Sequence, residues 1–401
     1  MLFLLLAFGW NYWLPTAKDF FNHVTLANEY RPADLQNIDF HAYYTAGQRY
    51  NSGKSLYVYG NDPQGLPVYS DYIYPPTLAP VLGLIARLSY DHARILWLIL
   101  YGLSYLGLLA WMAISFPRPA RFTFLALALL LTLVSFPLLD HILKGQADVF
   151  IICLILGSFL AYASGRRLLS ATLLAVATVL KVSPVFLLFY YLIFQRDWRF
   201  LILYAAACLL LVAASLFFVP PGSYLDYGLN ILPQVSSGTA TNLNQSLLRY
   251  LAFSPSVARL ASIGGLGLLA VLIWLLSRRY PPAVRRSLLP LGGEGFTSQM
   301  VFILNLAGIL IFVGKAWPAA YVWLILPTAW LLAGLIGRPT KPAYLVAVTL
   351  AAFLVGAKNY GFPILESLNL WGNLLLVGCL AFGSFRPDRI ASPEAQSGGA
   401  I

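Results

Sequence analysis

The stretch that decides the fold is residues 200–219, FLILYAAACLLLVAASLFFV, in which no side chain is charged. A helix of about twenty residues is roughly 30 Å long, which matches the hydrocarbon core of a bilayer. The rest of the chain has the same character, because 59% of its 401 residues are hydrophobic and only 10% are charged. Soluble domains carry about 25% charged residues. The sequence therefore predicts a membrane protein.

Apolar segments of helical length recur along the whole chain. Backbone polar groups in lipid must bond internally, and the alternating pattern of a membrane barrel is absent, so these segments are expected to be helices. We predict an all-α integral membrane protein, a polytopic bundle of about 10 to 13 transmembrane helices. The apolar start, residues 1–14, is interpreted as a short first helix that stays attached. The other segments are 75–90, 94–116, 122–139, 147–164, 169–194, 257–277, 299–314, 317–337, 342–357 and 367–384.

The net charge of +11 comes from Lys and Arg in short loops, as is typical of cytoplasmic loops, and nucleic-acid binding is not expected. The long segment from Pro15 to Tyr74 is acidic, and the stretch 220–246 contains Asp226 and no basic residue, so both are predicted to be external loops. We expect one transmembrane domain over residues 1–385 and a short disordered cytoplasmic tail at 386–401. The basic clusters that mark the cytoplasmic side are Arg118/Arg121, Arg166/Arg167, Arg196/Arg199, Arg278/Arg279, Arg285/Arg286, Arg338/Lys341 and Arg386/Arg389.

These sides alternate along the chain only under two conditions. Residues 75–90 must dip into the membrane without crossing it. Residues 169–194 must form a hairpin of two short helices, broken between Lys181 and Pro184, where the proline frees backbone groups. A single kinked helix at 169–194 is the alternative.

The first external loop carries a candidate interfacial helix with a carboxylate at its start. Aromatic residues recur at helical spacing from Phe40 to Tyr50, as in helices that lie in the membrane interface. Asp39 precedes them. It is either a functional carboxylate or an N-cap that satisfies free backbone N–H groups.

Further polar constellations interrupt the apolar segments. Asp140 to Asp148, DHILKGQAD, is either a short solvated loop or a Gly-Gln turn that opens a helix, whose free N–H groups attract anions. Lys181 lies in an apolar stretch, where a buried lysine needs a partner such as a phosphate, unless it extends to the interface. Asn244, Gln245 and Arg249 close the second external loop, and Lys315 lies at a predicted external turn. The three cysteines and four histidines show no metal-ligand spacing.

In order and spacing, these motifs resemble glycosyltransferase family 87, membrane enzymes of the GT-C class that use polyprenyl-phosphate sugars. The resemblance runs from about residue 35 to 335. The matching elements are Asp39, Phe40, Tyr43 and Tyr44; Tyr72, Tyr74, Pro75 and Pro76; Gly145 and Gln146; Lys181 and Pro184; and Asn244, Gln245 and Ser246.

The resemblance implies an inverting hexosyltransferase that moves a hexose, foremost mannose, from a polyprenyl-phosphate sugar to an envelope glycolipid or glycan. The reaction would take place at the outer face of the bacterial cytoplasmic membrane, with Asp39 as general base. Cations at Lys181, Arg249 and Lys315 would bind the donor phosphate. No cofactor and no divalent metal are expected. The substrate-binding residues that it implies are Tyr43, Tyr44, Tyr74, Lys144, Gln146, Asp148, Asn244 and Gln245.

Two departures leave the donor sugar open. Family members often have Gly-Gln-x-Asn, whereas this chain has Asp148, and many have Trp-x-His-His where this chain has Trp317-Pro-Ala-Ala. A transporter or flippase of lipid-linked sugars is the alternative function, because a lysine in a broken helix is also typical of a transport site. An inactive relative that serves as a membrane scaffold is a third interpretation.

Overall fold

A computed structural model describes residues 38–58, 72–237, 244–251, 254–280, 288–358 and 365–385. These residues form α-helices joined by short turns and contain no β-strand, which confirms the predicted all-α class. The α-helices are α1 (Ile38–Asn51), α2 (Ala79–Ile85), α3 (Tyr90–Ile114), α4 (Arg118–Val134), α5 (Phe136–Lys144), α6 (Asp148–Ala163), α7 (Arg167–Leu180), α8 (Trp198–Ser215), α9 (Pro221–Asp226), α10 (Leu232–Ser236), α11 (Pro255–Arg279), α12 (Phe296–Phe312), α13 (Ile325–Ile336), α14 (Pro342–Val355) and α15 (Leu368–Phe385).

Several turns between these helices are themselves helical but tighter or wider than an α-helix. Two of them are π-helical, Phe189–Phe194 and Tyr227–Ile231. The 3₁₀ segments are Pro76–Leu78, Ser183–Leu187, Leu247–Tyr250, Pro318–Leu324 and Leu365–Ser367.

Five apolar helical segments in the described part of the chain are long enough to cross a membrane. They are α3, α8, α11 and the longer units Pro318–Ile336 and Leu365–Phe385. A sixth span forms if α4 and α5, which are bent by 60° at Ser135, count as one. Six apolar helices of 10–17 residues accompany them, so the chain is a polytopic membrane protein. The sequence predicted about 10 to 13 crossings. In the described residues the structure has up to six spans of membrane length and six shorter apolar helices.

The apolar stretch 200–219 lies on the outside of the bundle. Apolar side chains of α8 such as Ile202 and Leu209 are 67% and 71% exposed. An exposed apolar helix surface is stable in lipid and not in water, so this face is the lipid-contacting surface. The core of the bundle is formed instead by α12 and α13, whose side chains are almost all buried.

Residues 169–194 form the predicted hairpin. At one end, Arg167 Nε donates to Asp197 Oδ2 at 2.9 Å, and the Tyr162 hydroxyl donates to the same oxygen at 3.0 Å. The chain between these residues therefore leaves this end and returns to it. The turn is at Lys181, where the backbone is extended and α7 has ended. The alternative of a single kinked helix is excluded.

The returning half of this hairpin is irregular, and a buried amide compensates for its missing backbone hydrogen bonds. Asn305, in the middle of α12, accepts from the Tyr190 N–H at 3.0 Å and donates to the Phe186 carbonyl at 3.2 Å. Non-helical backbone at membrane depth is tolerated only where such partners exist. Asn305 thus explains how the chain can break at Lys181 and still pack in the core.

Residues 75–90 do not cross the bundle, as predicted. They form the short turn Pro76–Leu78 and the seven-residue helix α2, which is only about 10 Å long. Helix α2 packs against α1, where the Gly47 position lies directly beside the Leu82 carbonyl. Helices α1 and α2 therefore form a folded layer at the end of the bundle.

Arginines of three basic clusters make contacts at one end of the bundle. At the Arg167 end, Arg196 donates to the Ser277 carbonyl at 2.6 Å, and Arg338 donates to the Gly292 carbonyl at 3.0 Å. All three arginines belong to clusters predicted to be cytoplasmic. Lys181 lies at the opposite end of the hairpin, about 20 Å away along α7.

Some predictions fall outside the described residues. These are the first helix at 1–14, the parts 15–37 and 59–71 of the first external loop, the middle of the second external loop at 238–243, and the tail at 386–401.

Candidate active site

Asp39 lies in the first turn of α1, and its Oδ2 accepts a hydrogen bond from Gln146 Nε2 at 2.8 Å. The two residues are 107 positions apart, so this bond is a tertiary contact between α1 and the α5–α6 turn. The N-cap interpretation does not describe Asp39, because it is inside the helix and its carboxylate is bonded to a side chain of another element. The helix predicted after Asp39 is confirmed.

Gly145 explains how Gln146 comes so close to α1. It ends α5 in the left-handed conformation, with φ +67°, which glycine adopts without strain. A Cβ at this position would lie 2.6 Å from the Cβ of Phe40. Trp97 of α3 fixes the turn from the other side, since its Nε1 donates to the Gly145 carbonyl at 3.0 Å. Only glycine allows this close packing beside Asp39.

Two N–H groups at the start of α6, which the prediction for the Gly-Gln turn expected to be free, are bonded to side chains of other elements. The Ala147 N–H donates to the Tyr43 hydroxyl at 3.3 Å, and the Val149 N–H donates to His141 Nε2 at 2.7 Å. Asp140 to Lys144 are also helical and do not form a solvated loop. The polar residues of this segment are arranged around Asp39 and Lys181 instead.

Lys181 is paired with the carboxylate that opens α6. Its Nζ lies 2.6 Å from Asp148 Oδ1, while the Asp148 side chain is 1% exposed and that of Lys181 is 26% exposed. The same ammonium lies 5.9 Å from the ring centre of Tyr74 and 5.6 Å from that of Trp323, within the range of cation–π attraction. The alternative that Lys181 extends away to the membrane interface therefore does not hold. We call Asp39, Tyr43, Tyr74, Gln146, Asp148 and Lys181 the Asp39 cluster.

Burial raises the pKa of Asp39 to about 6 from its ordinary 3.8. The hydrogen bond from Gln146 and the charge of Lys144 act in the opposite direction, because they stabilise the carboxylate. The negative charges of Asp140 and Asp148 add to the increase. Asp39 is thus ionised near neutral pH and still able to accept a proton, which suits a general base.

The predicted tyrosines differ in what they contact. Tyr43 is buried, and its ring centre lies 5.2 Å from that of Tyr74, beside Asp39. Burial raises the pKa of both phenols well above the ordinary value, so both remain protonated. The Tyr44 hydroxyl instead donates to the Leu88 carbonyl at 2.8 Å and holds α1 to the segment after α2.

Lys144 is close enough to Asp39 for its charge to act on it, but it is paired with another carboxylate. Its Nζ donates to Asp140 Oδ2 at 2.9 Å, one helical turn earlier in α5, and both side chains are partly exposed. The charge of Lys144 acts on Asp39, as its effect on the pKa shows.

Asn244 and Gln245 form a second polar cluster with the turn before Pro318–Leu324. Asn244 donates to the Gly314 carbonyl at 3.0 Å and accepts from the Ala316 N–H at 3.0 Å. Gln245 N–H donates to the Ala316 carbonyl, and the Tyr321 hydroxyl donates to the Gln245 carbonyl at 2.7 Å. These amides hold the turn that carries Lys315, which lies half-buried between the two residues that Asn244 contacts.

Arg249 closes this cluster against α15. It lies 2.9 Å from Glu366 Oε2 and donates to Ser367 Oγ at 2.7 Å. Its partner Glu366 was not predicted, since it lies 117 residues away in the chain. The Asn244 cluster and the Asp39 cluster are linked through Pro318–Leu324, which contains Tyr321 and also Trp323.

The family model of glycosyltransferase family 87 matches residues 72–292, more than half of the chain. The chain belongs to glycosyltransferase family 87. It is therefore a membrane glycosyltransferase. A search of curated proteins found no significant match.

The family 87 match and the structure meet at the Asp39 cluster. Gln146, Asp148 and Lys181 lie within the matched residues, and Asp39 lies outside them. Asp39 is attached to the matched part by its hydrogen bond to Gln146. In the described part of the chain, no group of three or more His, Cys, Asp and Glu side chains is placed to hold a metal ion.

Sequence reasoning missed three residues of this site. The first is His141, whose Nε2 accepts from the Val149 N–H at the start of α6. The second is Tyr101, whose ring centre lies 4.7 Å from that of His141. The third is Trp323, whose ring borders Lys181. Each lies in or beside an apolar segment, where a single aromatic residue is typical of a core. His141 lies four residues, about one helical turn, before Gly145, which ends the helix. This position close to Gln146 is the signal that could have identified it.

Proposed function

We propose that this family 87 protein transfers a hexose, foremost mannose, from a polyprenyl-phosphate sugar to a hydroxyl of an envelope glycolipid or glycan. The observation that carries the proposal is that one cluster contains both a proton acceptor, Asp39, and a cation, Lys181, with Tyr74 and Asp148 next to both. We propose that the reaction takes place at the outer face of the cytoplasmic membrane of a bacterium, because basic loops favour the cytoplasmic side for the opposite end of the bundle.

In the proposed reaction Asp39 acts as general base. Its carboxylate takes the proton of the acceptor hydroxyl while that oxygen forms a bond to the anomeric carbon from the face opposite the phosphate. The bond between the anomeric carbon and the phosphate oxygen breaks, and its electron pair leaves with the lipid phosphate. The configuration at the anomeric carbon is inverted. A positioned base supplies typically about 10² to 10⁴-fold in rate.

Lys181 is proposed to stabilise the charge that develops on the departing phosphate. An ammonium has three N–H donors, and Asp148 occupies one of them. Two donors remain, and 26% of the Lys181 side chain is exposed. A cation that is held in place before the reaction stabilises a developing anion strongly in a site with little water.

Arg249 and Lys315 are proposed to add positive charge at the same end of the bundle. Arg249 is fixed by Glu366 and Ser367, so it contributes through its position rather than as a flexible ligand. Tyr43, Tyr44, Tyr74, Lys144, Asn244 and Gln245 are proposed to shape the substrate site. The mechanism uses no cofactor, since the lipid-linked sugar is itself a substrate.

The test of the proposal is hexose transfer by the Asp39→Asn variant. Asparagine keeps the shape of the side chain and an oxygen that accepts from Gln146, but it cannot take a proton. Transfer of labelled hexose from a polyprenyl-phosphate donor into membranes of a strain without the gene should fall by about 10² to 10⁴-fold. Asp226→Asn, which changes a half-buried carboxylate of α9 outside the Asp39 cluster, should retain transfer.

The result also separates the proposal from a transporter of lipid-linked sugars, which Lys181 at a helix break would also suit. A transporter would move labelled donor across the membrane of proteoliposomes without forming a new glycosidic bond. Undiminished transfer by Asp39→Asn would remove Asp39 from the mechanism.

A further inference from the structure

Asp148 has an unusual environment for a carboxylate in a membrane protein. Its side chain is 1% exposed, and Oδ1 is paired with Lys181 at 2.6 Å. Its second oxygen, Oδ2, is buried and has no hydrogen-bond partner among the described residues. Hydrogen bonds to both oxygens usually spread the charge of a buried carboxylate. Among the described residues, Lys181 is the one cation that forms an ion pair with Asp148.

This pair lies where the proposed reaction changes the charge of its substrate. The donor is a phosphodiester with one negative charge. After the sugar has left, the lipid phosphate is a monoester whose second pKa is about 6, so it approaches two negative charges at neutral pH. A site that holds the donor through Lys181 alone would hold the product more tightly than the donor.

We propose that Asp148 is a specificity-determining residue that weakens the binding of the dianionic lipid phosphate more than that of the monoanionic donor. The inference rests on the proposed function, in which Lys181 meets the donor phosphate. Asp148 keeps Lys181 in place and repels any phosphate that Lys181 binds. Because the repulsion grows with the charge of the phosphate, it favours release of the product.

The geometry allows Lys181 to contact both partners at once. Lys181 pairs with the buried Asp148 at the start of α6, and a quarter of the Lys181 side chain stays exposed in this pair. Tyr74 and Trp323 flank the ammonium and restrict its movement. A phosphate therefore does not need to displace Asp148, and both negative charges act on each other across one lysine.

The test compares two soluble lipid phosphates that differ by one charge. Farnesyl phosphate stands for the product, and its methyl ester stands for the monoanionic phosphodiester of the donor. Binding of each to the full-length protein in nanodiscs is measured at pH 8, where farnesyl phosphate is a dianion. Asp148→Asn removes the repelling charge and keeps the shape of the side chain. Asp148→Ser serves as a second neutral variant if the first is poorly folded.

In Asp148→Asn the methyl ester should bind about tenfold more tightly, and farnesyl phosphate should gain approximately the square of that factor. The ratio of the two dissociation constants should therefore change about tenfold. In transfer assays the inhibition constant of farnesyl phosphate should fall more than the KM of the donor. Asp226→Asn removes the same charge from a half-buried position outside the Asp39 cluster and should leave the ratio unchanged. A merely structural role of Asp148 at the start of α6 would lower stability without moving the ratio.

Equal gains for both ligands, or no gain for either, overturn the inference. Failure of folded wild-type protein to bind either ligand overturns it as well. If the ratio shifts but wild-type protein transfers no hexose, the charge discrimination is supported and the proposed function fails. If wild-type protein transfers hexose and the ratio does not shift, the function stands and Asp148 has no such role.

Discussion

Replacing Gln146 by methionine removes the hydrogen bond that Asp39 accepts while keeping a side chain of similar length. In the structure Gln146 Nε2 lies 2.8 Å from Asp39 Oδ2, and this bond lowers the pKa of Asp39 against the effect of burial. Without it the carboxylate is less stable relative to the protonated acid. The pKa of Asp39 should therefore rise above its value of about 6.

The size of the shift follows from the strength of the bond. A hydrogen bond to a charged group is worth about 1.5–3 kcal/mol, and about 1.4 kcal/mol corresponds to one pKa unit. A shift of roughly one unit moves the pKa of Asp39 to about 7. At pH 6.5 the ionised fraction then falls from about three quarters to about one quarter, whereas at pH 8.5 the two proteins hardly differ.

The assay is the pH dependence of kcat/KM for the polyprenyl-phosphate donor, which reports the ionisation of the free enzyme. Wild-type activity should decline below pH 6, because a general base must be ionised. In Gln146→Met the decline should begin about one pH unit higher. Loss of positioning would lower the activity at every pH and is distinguished from the shift by the plateau. Gln48→Met, an exposed change in the same helix as Asp39, serves as the control.

An unchanged inflection in Gln146→Met would refute the reasoning. It would mean either that Asp39 does not limit the reaction at low pH, or that Gln146 does not hold the carboxylate in the working enzyme. A plateau loss without a shift would assign Gln146 to positioning alone.

Two further predictions test the charges of the site. Asp39→Asn should increase the free energy of unfolding above pH 6 by up to about 3 kcal/mol, measured by unfolding in detergent. The folded pKa is raised, so the wild type loses stability as pH rises from about 4 to 6, and the difference should vanish below pH 4. The double variant Lys181→Gln with Asp148→Asn leaves no unpaired buried carboxylate. It should raise the KM of the donor about tenfold or more, with less effect on the acceptor. An equal effect on both substrates would contradict the phosphate role of Lys181.

The sequence alone was sufficient for the membrane class and for two local features of the site. The Lys-Val-Ser-Pro stretch predicted the break at Lys181, because a proline and a lysine in an apolar run both disfavour a continuous helix. The aromatic spacing after Asp39 predicted α1. Both signals are local, within one or two helical turns, and the structure retains them.

The partners of these residues were not predictable in the same way. Asp148 and Lys181 are 33 positions apart, and nothing in either stretch indicates that they form a pair. The partners of the Gly-Gln turn were missed for the same reason. Free N–H groups were expected there, but Tyr43 and His141 accept hydrogen bonds from two of them. Such contacts depend on how helices pack, which periodicity does not contain.

The position of the site follows from where the helices break. Gly145 and Lys181 end helices within the bundle, and the turn before Pro318 starts a 3₁₀ segment. Each break frees backbone groups, which lipid cannot satisfy, so the breaks must face protein or a polar cavity. Helix α5 packs directly against Pro318–Leu324, and these irregular segments therefore gather at one end. There Gln146, next to one break, contacts Asp39 of α1, and Lys181, at the other, contacts Asp148. A membrane enzyme needs a polar place for a polar substrate, and the proposed site uses the one that these helix breaks form.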